Sequence, residues 1–381
     1  MQIAKKIRLY PNKEQEELFW QFAGTSRWAW NESLAYRMDR YEKDGSNTTV
    51  QQGIEHIQDL KHNNPDYVWV KSIPEAITKQ SIKDLDKAYK SFFKSGFGKP
   101  KFKKKGKCNV SFYQRTDNFH QVDDTHIKIT GIKSYIKIKK CNIPIKVSNT
   151  RVSFDGKYWY LSYAYEVQEQ TNNSIDIIGV DLGIKDLAIV SDGKVFKNIN
   201  KTQVIKKLEK QKKRLQRQVS RKYEMNKQGK KFVKTENIKK LEQRIRLLDR
   251  RLANIRNTYT HEITKDLVRA TPKKIVIEDL NVRGMLKNKH LSKAISNQCF
   301  NKFRQYLTYK CQLYGIELEI ADRFYPSSKM CSCCGNVRKQ LSLSERIYKC
   351  KECGLEIDRD YNASINLSRY DKDWKKIVYA H

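Results

Sequence analysis

The chain has no run of 18 apolar residues, which excludes a membrane-spanning helix, and it is short of acid. Its 42 Asp and Glu stand against 77 Lys and Arg, a formal net charge of +35 over 381 residues. Such an excess repels itself in a compact chain unless a polyanion neutralises it, and nucleic acid suits basic residues spread over the whole length. A membrane surface is the rival polyanion, but it calls for basic residues gathered on one amphipathic helix, which the chain lacks. The opening MQIAKKIRLYPNKEQEELFW has no continuous apolar segment like that of a secretion signal, and Glu14, Glu16 and Glu17 argue against a transit peptide. A cytoplasmic protein is expected. There is no internal repeat and no low-complexity tail, and the length allows two or three domains with cores of their own.

Residues 2–9, QIAKKIRL, read as a short strand that Tyr10-Pro11-Asn12 breaks. Two helical stretches are expected next, one around Leu18 and Phe22 and one holding Trp28, Trp30, Leu34 and Tyr36, whose aromatics suit either a core or stacking on bases. A further helical run from Ser72 to Phe93 ends at Gly96 and Gly98. It is followed by KPKFKKKGK, the densest positive patch, where Lys99, Lys101, Lys103, Lys104 and Lys105 are candidate phosphate contacts or simply a solvated basic loop. Between His126 and Val167 the apolar period falls to two, and Asp155-Gly156 marks a hairpin, so a small antiparallel β-domain is expected, completed by the N-terminal strand and interrupted by the helical block. After a polar linker, IIGVDLG and DLAIVSDG suit adjacent strands of a buried sheet. Two basic helices follow as a hairpin at about 201–269, then the strand KKIVIEDL, a helix over 292–314 and the strand IELEIAD. This is an α/β domain interrupted twice.

Five of the nine cysteines fall within 23 residues. The pattern Cys331-x2-Cys334-x15-Cys350-x2-Cys353, each pair followed by Gly, lets four thiolates satisfy one tetrahedral Zn²⁺. Four cysteines make such a site closed and structural, with two disulfides or a redox pair as the alternatives, and Cys333 is the extra thiol that competes for a place in it. Among the acids, Glu278 sits inside IVIEDL, where a buried parallel strand carries apolar residues. Asp181 suits a turn or cap, and Asp358 and Asp360 suit the cap of a helix starting at Tyr361. Together, a carboxylate ending a first strand, one on a later strand and one opening a late helix form the constellation of a nuclease that holds two Mg²⁺.

The segments IRLYPNKEQEELF, KDLDKAYKSFF, GVDLGIKDLA, IVIEDLNVRGM, SSKMCSCCG, CKECG and DRDYNASINL resemble the transposon-encoded TnpB family, RNA-guided nucleases similar to the ancestors of type V CRISPR effectors. The resemblance implies a multidomain α+β protein. Its parts would be a β-barrel wedge domain (1–12 and 107–170), a helical recognition domain (13–106), an RNase H-like (RuvC) α/β nuclease (175–325 and 355–381), and a zinc-ribbon insert (326–354) that binds target nucleic acid. It also implies Asp181, Glu278 and Asp360, rather than Asp358, as the catalytic carboxylates. Two Mg²⁺ and one structural Zn²⁺ would be cofactors; an omega RNA guide and double-stranded target DNA, recognised with a short adjacent motif, would be partners of a monomer. A strand-transferring transposase and a guided binder that does not cut are the alternatives.

Overall fold

The computed structural model describes residues 1–117, 119–171, 174–342 and 344–374. Positions 118, 172–173, 343 and 375–381, which fall in the expected barrel, linker, zinc insert and final nuclease segment, lie outside the described residues. The chain divides into two compact units, Gln2–Glu166 and the remainder from Val167 onward.

In the first unit, β1 (Gln2–Tyr10) stops at Pro11, and Asn12 opens α1 (Lys13–Asp44) with a reciprocal cap: its side chain accepts from the Gln15 N–H while the Gln15 side chain accepts from the Asn12 N–H. The two expected helical stretches are this single helix. Gly24 in its interior costs about 1 kcal/mol relative to alanine, which the burial of Phe19, Phe22, Trp30 and Leu34 on either side of it offsets. Gly45, at φ +67°, ends the helix in the left-handed conformation glycine accepts. Next come α2 (Val50–Asn63), a 3-10 turn over Pro65–Ser72, and α3 (Glu75–Ser95).

Six strands complete the unit: β2 (Val110–Tyr113), β3 (His120–Asp123), β4 (His126–Lys128), β5 (Ile136–Ile138), β6 (Ser148–Phe154) and β7 (Trp159–Glu166). They form an antiparallel sheet in the order β2-β6-β7-β1-β5-β4-β3, so the N-terminal strand sits mid-sheet and the helices are an insertion between β1 and β2. Phe19 and Phe22 of α1 pack into the sheet's core with Phe112, Ile127, Ile136 and Trp159. The basic stretch after α3 is not uniform. Lys99, Lys101, Lys104 and Lys105 are exposed, whereas Lys103 is half-buried with its ammonium 3.6 Å from the Trp30 ring centroid. Asn31 pins the Lys103 backbone from both sides, at 2.7 and 3.0 Å, and Trp30 Nε1 donates to the Lys101 carbonyl. Trp30 is therefore core, and the lysine next to it is a packing residue.

The second unit is built on β8 (Ile177–Leu182), β9 (Asp186–Val190) and β10 (Val195–Lys197). The basic helices α4 (Gln203–Met225) and α5 (Glu236–Arg269) follow, joined by the short pair β11 (Lys227–Gln228) and β12 (Lys231–Phe232). After β13 (Lys274–Glu278) come α6 (Val282–Met285), α7 (Ser292–Gln298), α8 (Phe300–Leu313) and β14 (Glu317–Ala321). The helix expected over 292–314 is divided because Cys299, at φ +57°, turns the chain left-handed between α7 and α8. The unit ends with the hairpin β15 (Ile347–Lys349) and β16 (Glu356–Asp358), which runs directly into α9 (Arg359–Ser368). No helix among the described residues is long and apolar enough to cross a membrane.

The sheet order is β10-β9-β8-β13-β14, with β8, β13 and β14 parallel and β9 antiparallel beside β8. Side chains alternate across it. Val180, Leu182, Ile275 and Ile277 face α5 and α8, packing with Ile263, Leu267, Phe303 and Leu307. The opposite face, with Val276, receives Leu367 of α9. Here Gly179 is decisive: a Cβ at this position would lie 2.0 Å from the Ser364 carbonyl oxygen and 2.3 Å from the Ser368 nitrogen. The helix backbone rests on the strand backbone, and only glycine leaves room for it. Gly179→Ala is expected to displace α9 and destabilise the unit by about 1–3 kcal/mol or more, read by urea unfolding; an unchanged midpoint would show that α9 does not seat on Gly179.

Candidate active site and zinc knuckle

Asp181 follows Gly179 by two residues, so it faces the same side of β8, beneath α9. The register that aligns Val180 with Ile277 sets Asp181 beside Glu278 at the carboxyl ends of β8 and β13. Two residues of strand span about 6.6 Å and one turn of helix about 5.4 Å. The step from Gly179 to Asp181 is therefore matched by the step from Ser364 back to Asp360, which carries Asp360 toward the pair. Asp358 does a different job: it caps α9, its Oδ1 accepting from the N–H groups of Asp360 and Tyr361 at 3.0 and 3.1 Å.

Burial pushes Asp181 well above the usual carboxylate range, and the neighbouring Glu278, with Asp360 behind it, pushes in the same direction. Glu278 is raised too, chiefly by burial, although hydrogen bonds from Asp181 and Ser327 oppose the rise. The two share a proton-linked contact, the state of two carboxylates too close for both to ionise freely. Ser327 Oγ donates to Glu278 Oε1 at 3.1 Å. Asp360 is held from its other side by Arg359, at 3.2 Å, and by Arg346, at 3.8 Å. The candidate acids are thus brought together, Asp358 caps α9 as its place before Tyr361 suggested, and two groups join them that have no sequence signature, Ser327 and Arg346. The lysines of the 99–105 stretch belong to the other unit. As a donor set, three carboxylates with no thiol or imidazole among them suit a hard divalent cation such as Mg²⁺.

The four expected zinc ligands converge. Sγ atoms of Cys331, Cys334, Cys350 and Cys353 all lie within 4.8 Å of one another, with Cys331···Cys353 and Cys334···Cys350 at 3.6 Å. Tetrahedral Zn–S bonds of about 2.3 Å require sulfurs about 3.8 Å apart, so the set fits zinc as it stands. Cys333 is exposed and outside the cluster; its backbone N–H donates to Cys331 Sγ at 3.4 Å. The Cys353 backbone N–H, against opposing burial, pulls the Cys350 thiol down to about 7, whereas the crowded neighbouring thiols Cys334 and Cys353 are raised, Cys353 to about 12, so without a metal the four thiols do not all favour the thiolate.

Three family models match this chain in order: "Helix-turn-helix domain" (of the OrfB_IS605 group) over residues 1–46, "Probable transposase" over 160–289, and "Cas12f1-like, TNB domain" over 300–367. A protein of Escherichia coli K12 named "Putative RNA-guided DNA endonuclease InsQ" is 29% identical, over 96% of this chain and 91% of that protein. The chain belongs to the transposon-encoded TnpB family. The "CRISPR-associated endodeoxyribonuclease Cas12f1" of Sulfoacidibacillus thermotolerans is 30% identical over 58% of this TnpB-family chain and 53% of its own length. The fold is similar to that in the "Cryo-EM structure of the Cas12f1-sgRNA-target DNA complex", with a TM-score of 0.60 and 15% identity over 94% of this chain and 83% of that one. Residues 1–46, despite the description of their family model, form β1 and one continuous helix through residue 44.

The raised acids fix the sign of a pH effect. A carboxylate whose folded pKa lies above its unfolded value costs nothing below the unfolded value, near 4, and costs progressively more as pH rises through the folded one. In chelator, Asp181→Asn is therefore expected to melt above the wild type at neutral pH, by a few degrees, with the gap closing toward pH 4. Melting scans across that range test it; a gap that is constant or widens toward acid would refute the buried-pair reading.

Proposed function

We propose that the chain is an RNA-guided, Mg²⁺-dependent DNA endonuclease with a RuvC-like site made by Asp181, Glu278 and Asp360. The observation that carries the reading is the pairing of buried Asp181 with half-buried Glu278 at the carboxyl ends of adjacent strands, under the amino end of α9, in a chain of net charge +35. A pair of buried carboxylates is costly unless a cation joins it, and a basic protein brings phosphodiesters to that cation. The strand order, with an antiparallel second strand beside three parallel ones and the acids at the carboxyl ends of adjacent strands, also favours an RNase H-like nuclease domain.

In this reading the carboxylates of Asp181, Glu278 and Asp360 hold the metals, Ser327 orients Glu278, and Arg359 and Arg346 orient Asp360. When bound, two Mg²⁺ supply an activated water and stabilise the leaving oxygen of the cut phosphodiester. The four-cysteine knuckle holds one Zn²⁺ as structure. The first unit would serve as the wedge and its helical insert as the recognition domain, and the guide would be an omega RNA on a monomer in the cytoplasm. Base pairing would read the target while protein reads a short adjacent motif and the heteroduplex shape. The names of both endonuclease relatives support guidance by RNA and action on DNA, at the level of the family.

The test is to purify the protein with the RNA of its own locus and offer a matched double-stranded DNA with Mg²⁺. Guide-matched cutting, lost in Asp181→Ala, is expected; cutting that ignores the guide would refute the reading, and joined transposon ends would favour a strand transferase. On the same complexes, removing Lys101, Lys104 and Lys105 together is expected to weaken nucleic-acid binding and flatten its salt dependence by up to about one unit of slope for each lysine that meets a phosphate. Lys103→Ala should instead lower the melting temperature, since Lys103 packs on Trp30.

A further inference from the structure

Asn362 and Asn366 lie one turn apart on α9 and are 0% and 1% exposed. Both face the irregular crossing, residues 325–332, on the way from β14 to the first zinc cysteines. Each side-chain amide donates to the Met330 carbonyl at 2.7 Å, and Asn366 also donates to the Ser327 carbonyl at 2.8 Å. Asn362 Oδ1 accepts from the Ser332 N–H at 2.9 Å, and the Tyr325 hydroxyl donates to the Asn366 carbonyl at 3.0 Å. The crossing is thus bonded to the helix at Tyr325, Ser327, Met330 and Ser332. Buried backbone groups in an irregular segment need partners, and two amides meet that need while fixing the segment's register to the helix.

Both ends of this clamped segment have a job. Ser327 donates to Glu278, and Cys331 is a zinc-ligand candidate one residue beyond Met330. The other half of the knuckle returns to the same helix: the Arg359 N–H donates to the Arg346 carbonyl at 2.8 Å, and the Arg346 guanidinium reaches Asp360. Glu278 is therefore oriented through one arm of the zinc knuckle and Asp360 through the other.

We propose that Asn362 and Asn366 are positioning residues for the acidic site, clamping the 325–332 crossing so that the zinc-held knuckle sets Ser327 on Glu278 and Arg346 on Asp360. Cation affinity at the acids then depends on zinc at a site that shares no ligand with them. This rests on the nuclease reading above. Partners of this kind behind a ligand are worth ten- to a hundredfold in metal affinity.

The experiment uses the full-length, zinc-loaded chain with Mn²⁺ as probe, free Mn²⁺ being measured by electron paramagnetic resonance and zinc by elemental analysis. Ser327→Ala and Asn366→Leu are expected to keep one zinc per chain yet bind Mn²⁺ about ten- to a hundredfold more weakly. Wild type stripped of zinc, its secondary structure checked by circular dichroism, should show the same loss. Asp181→Asn, in the same assay, reports whether the Mn²⁺ is at the acids at all. Should Asn366→Leu not fold, the milder Ser327→Ala still decides. Mn²⁺ binding that requires Asp181 but is indifferent to Ser327→Ala, or to zinc, overturns this inference alone. Mn²⁺ binding indifferent to Asp181 overturns the nuclease reading and this inference with it.

Discussion

The approach of α9 to β8 governs the geometry of the acidic site. Helices on sheets normally stand off by the thickness of their side chains, about 10 Å between axes and sheet, and at that distance a short aspartate at a helix start does not reach one on a strand. At Gly179 the separation collapses to backbone against backbone. The strand then presents Asp181 two residues further on, and the helix presents Asp360 one turn back. The packing that brings them near would be ordinary stability were the residues apolar; with carboxylates it concentrates negative charge where burial makes that charge expensive.

That cost explains why the site is surrounded as it is. Arg359 and Arg346 stand on the outer side of Asp360 and Ser327 on Glu278, while no cationic side chain bonds to Asp181 among the described residues. The arginines pair directly with the outermost acid only; Arg359 also opposes the rise of Asp181 and Glu278 through space, but less than burial raises them. A fully neutralised trio would have no affinity left for a cation, and a wholly uncompensated one would strain the fold whenever the cation was absent. The arrangement lies between these limits, and the basic surface of the rest of the chain acts at longer range, where salt screens it over about 10 Å.

The strands that carry the acids were legible because GVDLG sets one carboxylate, and IVIEDL two adjacent ones, in runs otherwise fit only for a buried sheet, and the zinc ligands were legible because their spacing leaves little else for four thiols to do. Asp358 and Asp360 were not separable by residue type, since either suits a helix start; the cap bonds from Asp358 to two N–H groups distinguish them, and those depend on where α9 begins. Lys103 looks like its neighbours in sequence and differs only because Trp30, 73 positions earlier on α1, lies under it. Two helical stretches proved to be one because burial of aromatics on both sides overrides a single glycine, and one expected helix proved to be two because Cys299 adopts a conformation that residue type does not announce. Ser327 and Arg346 carry no local signal at all, as their partners are 49 and 14 residues away.

The order of the chain around α9 then takes on a physical meaning. A zinc knuckle inserted elsewhere in the unit would be a stable appendage, but here it lies between β14 and the helix that carries the last acid, so each of its arms is anchored at one end by thiolates and at the other by the acidic site. Four short-range thiolate bonds are stiff compared with side-chain hydrogen bonds, so a segment held between them and two buried amides has little freedom to move Ser327 or Arg346. Orienting groups held on rigid supports reproduce ligand geometry better than the same groups on free loops. The asparagines at 362 and 366 are polar residues held at full burial beside Ala363 and Leu367, and a polar residue so buried is better explained by the segment it holds in register than by the stability it contributes.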